Sequence, residues 1–332
     1  MRNINYVLSP FHNKFSSFLM NQLRQLADRV RSVVAKLLSP QVRNVLKAIW
    51  MALVTVFVIR YMVKNWNSIT DTIESFSFIV LFGTVAVTIL GKIAVSVHSQ
   101  LITKVNGREF TFRESFWMYS ASDLVKYIPG GLWNALARVR LYTNMGMSAA
   151  SSTKAFALEK YWMVVGALAT GALALAPQGV RGIGMSDSMF AVIAARTVLF
   201  IVWVLLVLAG GKLTGGTIIP IAVIRSLSEQ IVMAIFFGLG VWIPLEAVNA
   251  GVSPIVAIGA FSMGRGLGYL AVFAPAGIGV REVVTLWALA GSSATTQAMG
   301  IALAVNRVMT FVADLASFGL SFSVKPRRNS SQ

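Results

Sequence analysis

The sequence predicts an all-α polytopic membrane helix bundle, and three observations carry that prediction. The chain of 332 residues is 56% hydrophobic and only 12% charged, with a mean hydropathy of +0.71, a balance foreign to ordinary soluble domains. Its apolar residues fall in stretches able to cross roughly 30 Å of hydrocarbon at about 1.5 Å per residue. Two stretches are interrupted by Pro/Gly clusters beside charged residues, YIPGG at 127–131 and FAPAGIG at 273–279. Broken backbone is tolerated at membrane depth only where protein buries it or water reaches it. The expected architecture therefore has about eight membrane segments, two of them re-entrant or discontinuous.

In chain order, the expected spans are 46–63, 75–97, 152–176, 188–210 and 217–243. Arg60 and Lys92 are read as lying near span ends, where long side chains snorkel. The apolar region 253–324 reads as one span up to the second Pro/Gly break, a short rising half-helix, and a final span after a further interruption at 291–296. The chain thus divides into an N-terminal segment 1–44, a membrane domain 45–325 and a tail 326–332. Within the first of these, Leu19, Leu23, Leu26, Val30, Val33 and Leu37 recur at spacings of four and three, with Arg24, Arg29, Arg31 and Lys36 largely off that stripe. That is a basic amphipathic helix suited to an anionic inner leaflet. A short coiled coil, or a helix packed on the protein itself, has the same pattern.

Charge sets the expected orientation. The segment before the first span is rich in Lys and Arg against a single Asp28, and the tail carries Lys325, Arg327 and Arg328. The positive-inside rule then puts both termini in the cytoplasm of a bacterial-type plasma membrane. The region 99–151 is also basic (Lys104, Arg108, Arg113, Lys126, Arg138, Arg140), while the loops near Asp71, Asp187 and Glu246 are short and poor in cations.

The same composition excludes several function classes. Without cysteine, and with only His12 and His98, the sequence offers no thiolate site, no disulfide and no histidine metal centre, and no cofactor is expected. The net charge of +17 would suggest nucleic acid in a soluble protein. In a membrane protein it points to the inner leaflet instead, so the expected partner is a phospholipid or glycolipid and not nucleic acid.

Candidate site residues gather at the two breaks. Lys126 and Tyr127 precede Pro129, Gly130 and Gly131, with Trp133, Arg138 and Arg140 just beyond. Backbone N–H groups freed at the start of the following helix can receive an anionic oxygen, and Arg138 or Arg140 could hold a phosphate through a forked pair of hydrogen bonds. Alternatively, Pro-Gly-Gly is a tight turn and both arginines are positive-inside anchors. The second break follows the same grammar, with Pro275, Gly277 and Gly279 followed at once by Arg281 and Glu282. Glu159 lies 30 residues after Pro129 and Arg307 lies 32 after Pro275, a rhyme that an inverted repeat would produce, bringing both breaks to the midplane.

Ionisable residues inside spans need partners or a wet cavity. Arg225 and Glu229, one turn apart, can pair with each other. Arg307 and Asp314, two turns apart, must look to other helices, as must Glu159 and Arg265. Lys160 points elsewhere than its neighbour Glu159. A charge ladder that only holds the bundle together is the competing account, strongest for Arg225 and Glu229.

KYIPGGLW (126–133) followed by Arg138, the spanning Glu159, and APAGIGVRE (274–282) resemble the membrane domain of the lysylphosphatidylglycerol synthase family and the flippase-like proteins grouped with it; the similarity covers about residues 45–325. The resemblance implies a lipid-handling bundle that moves an anionic, aminoacylated or glycosylated lipid between leaflets. Full synthases carry a soluble aminoacyl-transfer domain after the membrane part, whereas this sequence ends at Gln332, so lysyl transfer by this chain is not expected. The alternatives are a membrane subunit of a lipid aminoacyl- or glycosyl-transferase served by a separate soluble transferase, and a structural or regulatory membrane subunit. Neither a nucleotide-binding loop nor a metal-binding carboxylate pair for a nucleotide sugar is present in the sequence.

The topology makes a direct prediction. Reporter fusions after Lys64 and after Gln332 should lie in opposite compartments, and finding both in the same one would refute the assignment.

Overall fold

The computed structural model describes residues 74–127, 133–182, 189–213, 220–271, 277–290 and 292–323, with the single residues Val45, Ile49, Val56, Arg60 and Ala274. The chain divides into two compact units, Met1–Thr55 and Val56–Gln332. Of the first, only Val45 and Ile49 are described, both helical and exposed. The expected amphipathic segment, the tail and most of the first expected span lie outside the described residues. All other described residues belong to the second unit.

Every regular element among the described residues is helical. They are α1 (Phe78–Val105), α2 (Phe112–Asp123) with a 3₁₀ turn (Leu124–Tyr127), α3 (Trp133–Asn144), α4 (Ala149–Gly182), α5 (Met189–Leu213), α6 (Pro220–Ala247), α7 (Pro254–Leu270), α8 (Val280–Ala288) and α9 (Thr296–Ser323). Five of them, α1, α4, α5, α6 and α9, are long and apolar enough to cross a membrane. The interruptions expected at 275–279 and 291–296 both separate helices, α7 from α8 and α8 from α9.

α1 turns the usual amphipathic pattern inside out. Phe78, Ile79, Phe82 and Leu90 are exposed, while Thr84, Thr88, Lys92, Ser96, Ser99 and Thr103 are buried at spacings of three and four. The hydroxyls are satisfied within the helix: Thr84, Thr88, Ser96 and Thr103 each donate to the carbonyl four residues back, at 2.7–3.1 Å. Because those polar residues face inward, the helix runs on to Val105, past the expected end at 97 where hydropathy falls. α5 is the apolar extreme. Only 11% of its most apolar window is buried; Trp203 and Val207 pack inward while Phe190, Ile201 and Leu205 stand outside. Large apolar side chains on the outside of a bundle with a polar interior are matched by lipid, not water.

Local signals explain the helix starts. Thr111 and Glu114 form a reciprocal capping box, with Glu114 N–H donating to Thr111 Oγ1 at 3.3 Å and Thr111 N–H donating to Glu114 Oε2 at 2.7 Å. α7 begins with Ser253 as cap and Pro254 in its first turn. The aromatic-rich helix α2 packs against α1, α3 and α9.

The long helices cross on small residues. α1 lies along α6, and α7 is wedged among α4, α6 and α8. A Cβ on Gly171 of α4 would stand 2.8 Å from the backbone nitrogen of Met263 and 3.1 Å from the Gly259 carbonyl on α7. A Cβ on Gly238 of α6 would meet Ile258 Cα at 2.5 Å.

One pattern occurs twice in chain order. A long helix, a short helix, a break, a short helix and a long helix run 28, 12, 12 and 34 residues from α1 to α4. They run 28, 17, 9 and 28 residues over α6 to α9. α5 lies between the two sets.

The close crossings predict a contrast. Gly171→Ala should destabilise the purified protein by about 1–3 kcal/mol, since backbone cannot yield to the new methyl. Gly300→Ala, with open space around its site, should leave thermal unfolding in detergent unchanged or raise it slightly. Equal effects at both positions would mean the α4–α7 contact is not tight in solution.

Candidate functional site

One face of α9 meets the turn that precedes the first break and the helix that follows the second. Arg307, Phe311 and Asp314 lie four and three residues apart, and so share a side of the helix. Asp314 Oδ2 accepts from the Tyr127 hydroxyl at 2.6 Å and pairs with Lys126 Nζ at 2.8 Å. Phe311 meets the Tyr127 ring edge-on, with centroids 5.0 Å apart. At the other end of the stripe, Arg307 Nη1 lies 3.7 Å from Glu282 Oε1. The turn leading into the first break and the helix leaving the second are thereby tied to the same element.

Asp314 also belongs to a closed ring of four charges. Lys92 of α1 pairs with Asp314 and, at 2.7 Å, with Asp123 of α2, whose Oδ2 also takes Lys126 at 2.9 Å. The side chains of Lys92 and Asp314 are 3% and 1% exposed. Two ammoniums and two carboxylates cancel, which is how four charges tolerate an apolar interior. Lys92 therefore does not snorkel: it sits within α1 and holds α2 and α9. Neither Lys92 nor Asp123 was expected from the sequence. The visible signal was the run of Thr84, Thr88, Ser96 and Ser99 at helical spacing around Lys92, which marks an inward face.

The second break presents a different arrangement. Glu282 Oε2 accepts from the Gly279 N–H at 2.8 Å, at the start of α8. Its Oε1 takes Arg281 from Nε and Nη2, both at 3.2 Å, beside the longer contact with Arg307. Arg281 also stacks over the Phe261 ring at 5.0 Å. All three charged side chains keep contact with the outside, at 13% for Arg281, 25% for Glu282 and 24% for Arg307. Gly277 and Gly279 adopt φ of +68° and +84°, a region open to glycine and strained for other residues. Gly277 also packs on the Gly268 backbone, where a Cβ would come within 3.2–3.4 Å.

The corresponding place in the first half is sealed. Arg138 on α3 and Glu159 on α4 form a 3.1 Å pair with both side chains 0% exposed. Arg138 also donates to Ser122 Oγ at 2.6 Å and to the Tyr142 hydroxyl at 3.3 Å. The expectation that Arg138 holds a phosphate is corrected on this ground: its Nε and Nη1 serve Ser122, Tyr142 and Glu159 and the side chain is fully buried, while Nη2 has no hydrogen-bond partner among the described residues. Arg140, two residues on, is exposed, and so is Trp133, at 48%. Lys160 bends back to 3.6 Å from Glu159 Oε1 and does not point away from it as expected.

The remaining candidates lie elsewhere. Arg225 and Glu229 pair at 2.8 Å as expected, and Glu229 Oε2 lies 2.9 Å from His98 Nδ1, a partner the sequence did not reveal. Arg265 stacks on Phe237 of α6 at 4.2 Å and reaches Tyr269 of its own helix. It lines a small cleft between α4, α6 and α7, together with Met163, Gln230 and Met233. Pro129, Gly130, Gly131 and Pro275 lie outside the described residues. Among the described residues no group of His, Asp and Glu has the arrangement of a metal site.

The charge ring makes a stability prediction. Asp314→Asn leaves Lys92 without one of its two carboxylates and should cost about 3–5 kcal/mol. Adding Lys92→Met should restore part of that loss, because no buried ammonium then lacks compensation. Unchanged unfolding of Asp314→Asn in mixed micelles would show that the ring does not hold α9.

No protein-family model matches the chain, and no curated protein matches it in sequence.

Proposed function

We propose that this integral membrane protein handles lipid, moving an anionic, aminoacylated or glycosylated lipid between leaflets, and that the headgroup seat is at the second break. The observation that carries this reading is the open cluster of Arg281, Arg307 and Glu282 at the start of α8, where two guanidiniums face one carboxylate and all three remain partly exposed. A cationic cradle on broken backbone inside a lipid-facing bundle suits a phosphate whose acyl chains stay in the bilayer. The choice of lipid class draws on the resemblance carried by KYIPGGLW and APAGIGVRE.

The proposed topology is an inverted repeat. If α2–α3 and α7–α8 each enter and return to the side they came from, then α1 and α6 run in opposite directions across the membrane. The two breaks then approach the midplane from opposite faces. With the first span 46–63 added, both termini are cytoplasmic, in a bacterial-type plasma membrane. The pairing of short with long helix supports the repeat: Arg138 on α3 reaches Glu159 on α4, and Glu282 on α8 is reached by Arg307 on α9. The same kind of pair, short helix to following long helix, is made with the signs exchanged. Only the second pair is open, so the two halves have unequal roles.

Arg281→Ala is the clean probe of this function, because substitution at Gly277 would disturb the Gly268 contact before it tested access. Vesicles carrying the folded variant should exchange labelled phosphatidylglycerol roughly tenfold or more slowly than the parent, as loss of a charge-assisted contact of about 1.5–3 kcal/mol implies. Labelled phosphatidylcholine should slow less. Parental rates for both lipids would remove the second break from the function.

A further inference from the structure

We infer that Glu282 is the resident ligand of this headgroup seat, and that a lipid phosphate enters by exchanging with it. The inference rests on the proposed headgroup seat and adds how that seat is kept and emptied. The Glu282 carboxylate stands where a phosphodiester would. One oxygen takes the Gly279 N–H at 2.8 Å, and the other takes the Arg281 edge at 3.2 Å with Arg307 behind it at 3.7 Å. A helix-start N–H beside a guanidinium fork is also the donor set that the two non-bridging oxygens of a phosphate diester accept from. Both cannot be seated together: the donors already serve Glu282, and a second anion beside an ionised carboxylate is repelled.

Access and freedom distinguish this carboxylate from the others in the bundle. Glu159, the carboxylate of the first half's pair, is 0% exposed and held by a buried arginine, whereas Glu282 is 25% exposed on the first turn of a short helix. The backbone before it passes through Gly277 and Gly279 at positive φ. When Glu282 swings outward, an incoming phosphate oxygen can take over the Gly279 N–H, so the start of α8 is not left uncapped. Return of the carboxylate then displaces the phosphate, which keeps the seat from holding its lipid too tightly to release it. No bond is made or broken in this cycle.

Glu282→Gln separates this role from a purely structural cap. Glutamine can still reach back to the Gly279 N–H as a capping residue does, but it no longer competes as an anion. The full chain in neutral detergent is titrated with inorganic phosphate at constant ionic strength, and in parallel with vesicles of phosphatidylglycerol or phosphatidylcholine. Glu282→Gln is expected to lower the half-saturating phosphate concentration roughly tenfold or more, and to slow phosphatidylglycerol exchange by delaying release. Arg281→Ala should abolish phosphate binding. Should Glu282→Gln fail to fold, Glu282→Asp keeps the charge but is too short to span both sets of donors, and it should also tighten phosphate binding. A folded variant that binds phosphate no better than the parent overturns the exchange, even if Arg281→Ala still slows anionic lipid and so upholds the headgroup reading. Tighter phosphate binding with no change toward phosphatidylglycerol vesicles overturns the lipid assignment while upholding exchange at Glu282.

Discussion

Asp314 is the point on which the arrangement of this bundle turns. It sits on the long C-terminal helix, almost fully buried, and gathers Lys92 of α1, Lys126 of the turn after α2 and the Tyr127 hydroxyl. In an apolar interior such a carboxylate is stable only if its charge is matched, so these three donors must stay where they are. That requirement docks α2 and its turn between α1 and α9. Since α9 also reaches Glu282 at the start of α8 through Arg307, on the same face as Phe311 and Asp314, the same helix ties the turn after α2 to α8.

The two halves of the chain use similar parts to different ends. Each sets a charged residue of a short helix against an opposite charge on the following long helix, and the polarity is reversed between them. Arg138 and Glu159 are enclosed by Ser122, Tyr142 and the walls of α1 and α4, so they contribute rigidity. Arg281, Glu282 and Arg307 have an excess of one positive charge and keep part of their surface outside. A sealed pair holds a scaffold, while a partly exposed, net cationic cluster attracts an anion. This asymmetry, more than either break alone, directs attention to the second.

The scaffold around these charges is shaped by two opposing demands. Lipid-facing sides are covered with large apolar residues, as on α5, because nothing else is stable against acyl chains. The inner sides carry hydroxyls and ions, which need close neighbours. Glycines at 171, 238, 259 and 264 let the helices approach until those groups can meet. Polar interior and tight crossings therefore depend on each other.

Much of this was legible in the residues alone. The all-helical class, the approximate limits of α4, α5 and α6, the interruptions on either side of α8, and the Arg225–Glu229 pair all follow from hydropathy, Pro/Gly placement and helical spacing, which are properties of short stretches of chain. Partners far apart in sequence were not legible. Nothing near Lys92 names Asp123 or Asp314, nothing near His98 names Glu229, and two arginines two residues apart gave no sign that Arg138 would be walled in while Arg140 stayed outside. Sequence by itself determined which segments are helical and which residues are too polar for lipid, because those depend on local backbone and side-chain chemistry. Only the tertiary structure decided which charges meet, which pairs are sealed and which stay open, because burial and ion pairing depend on distances between helices that no local pattern encodes.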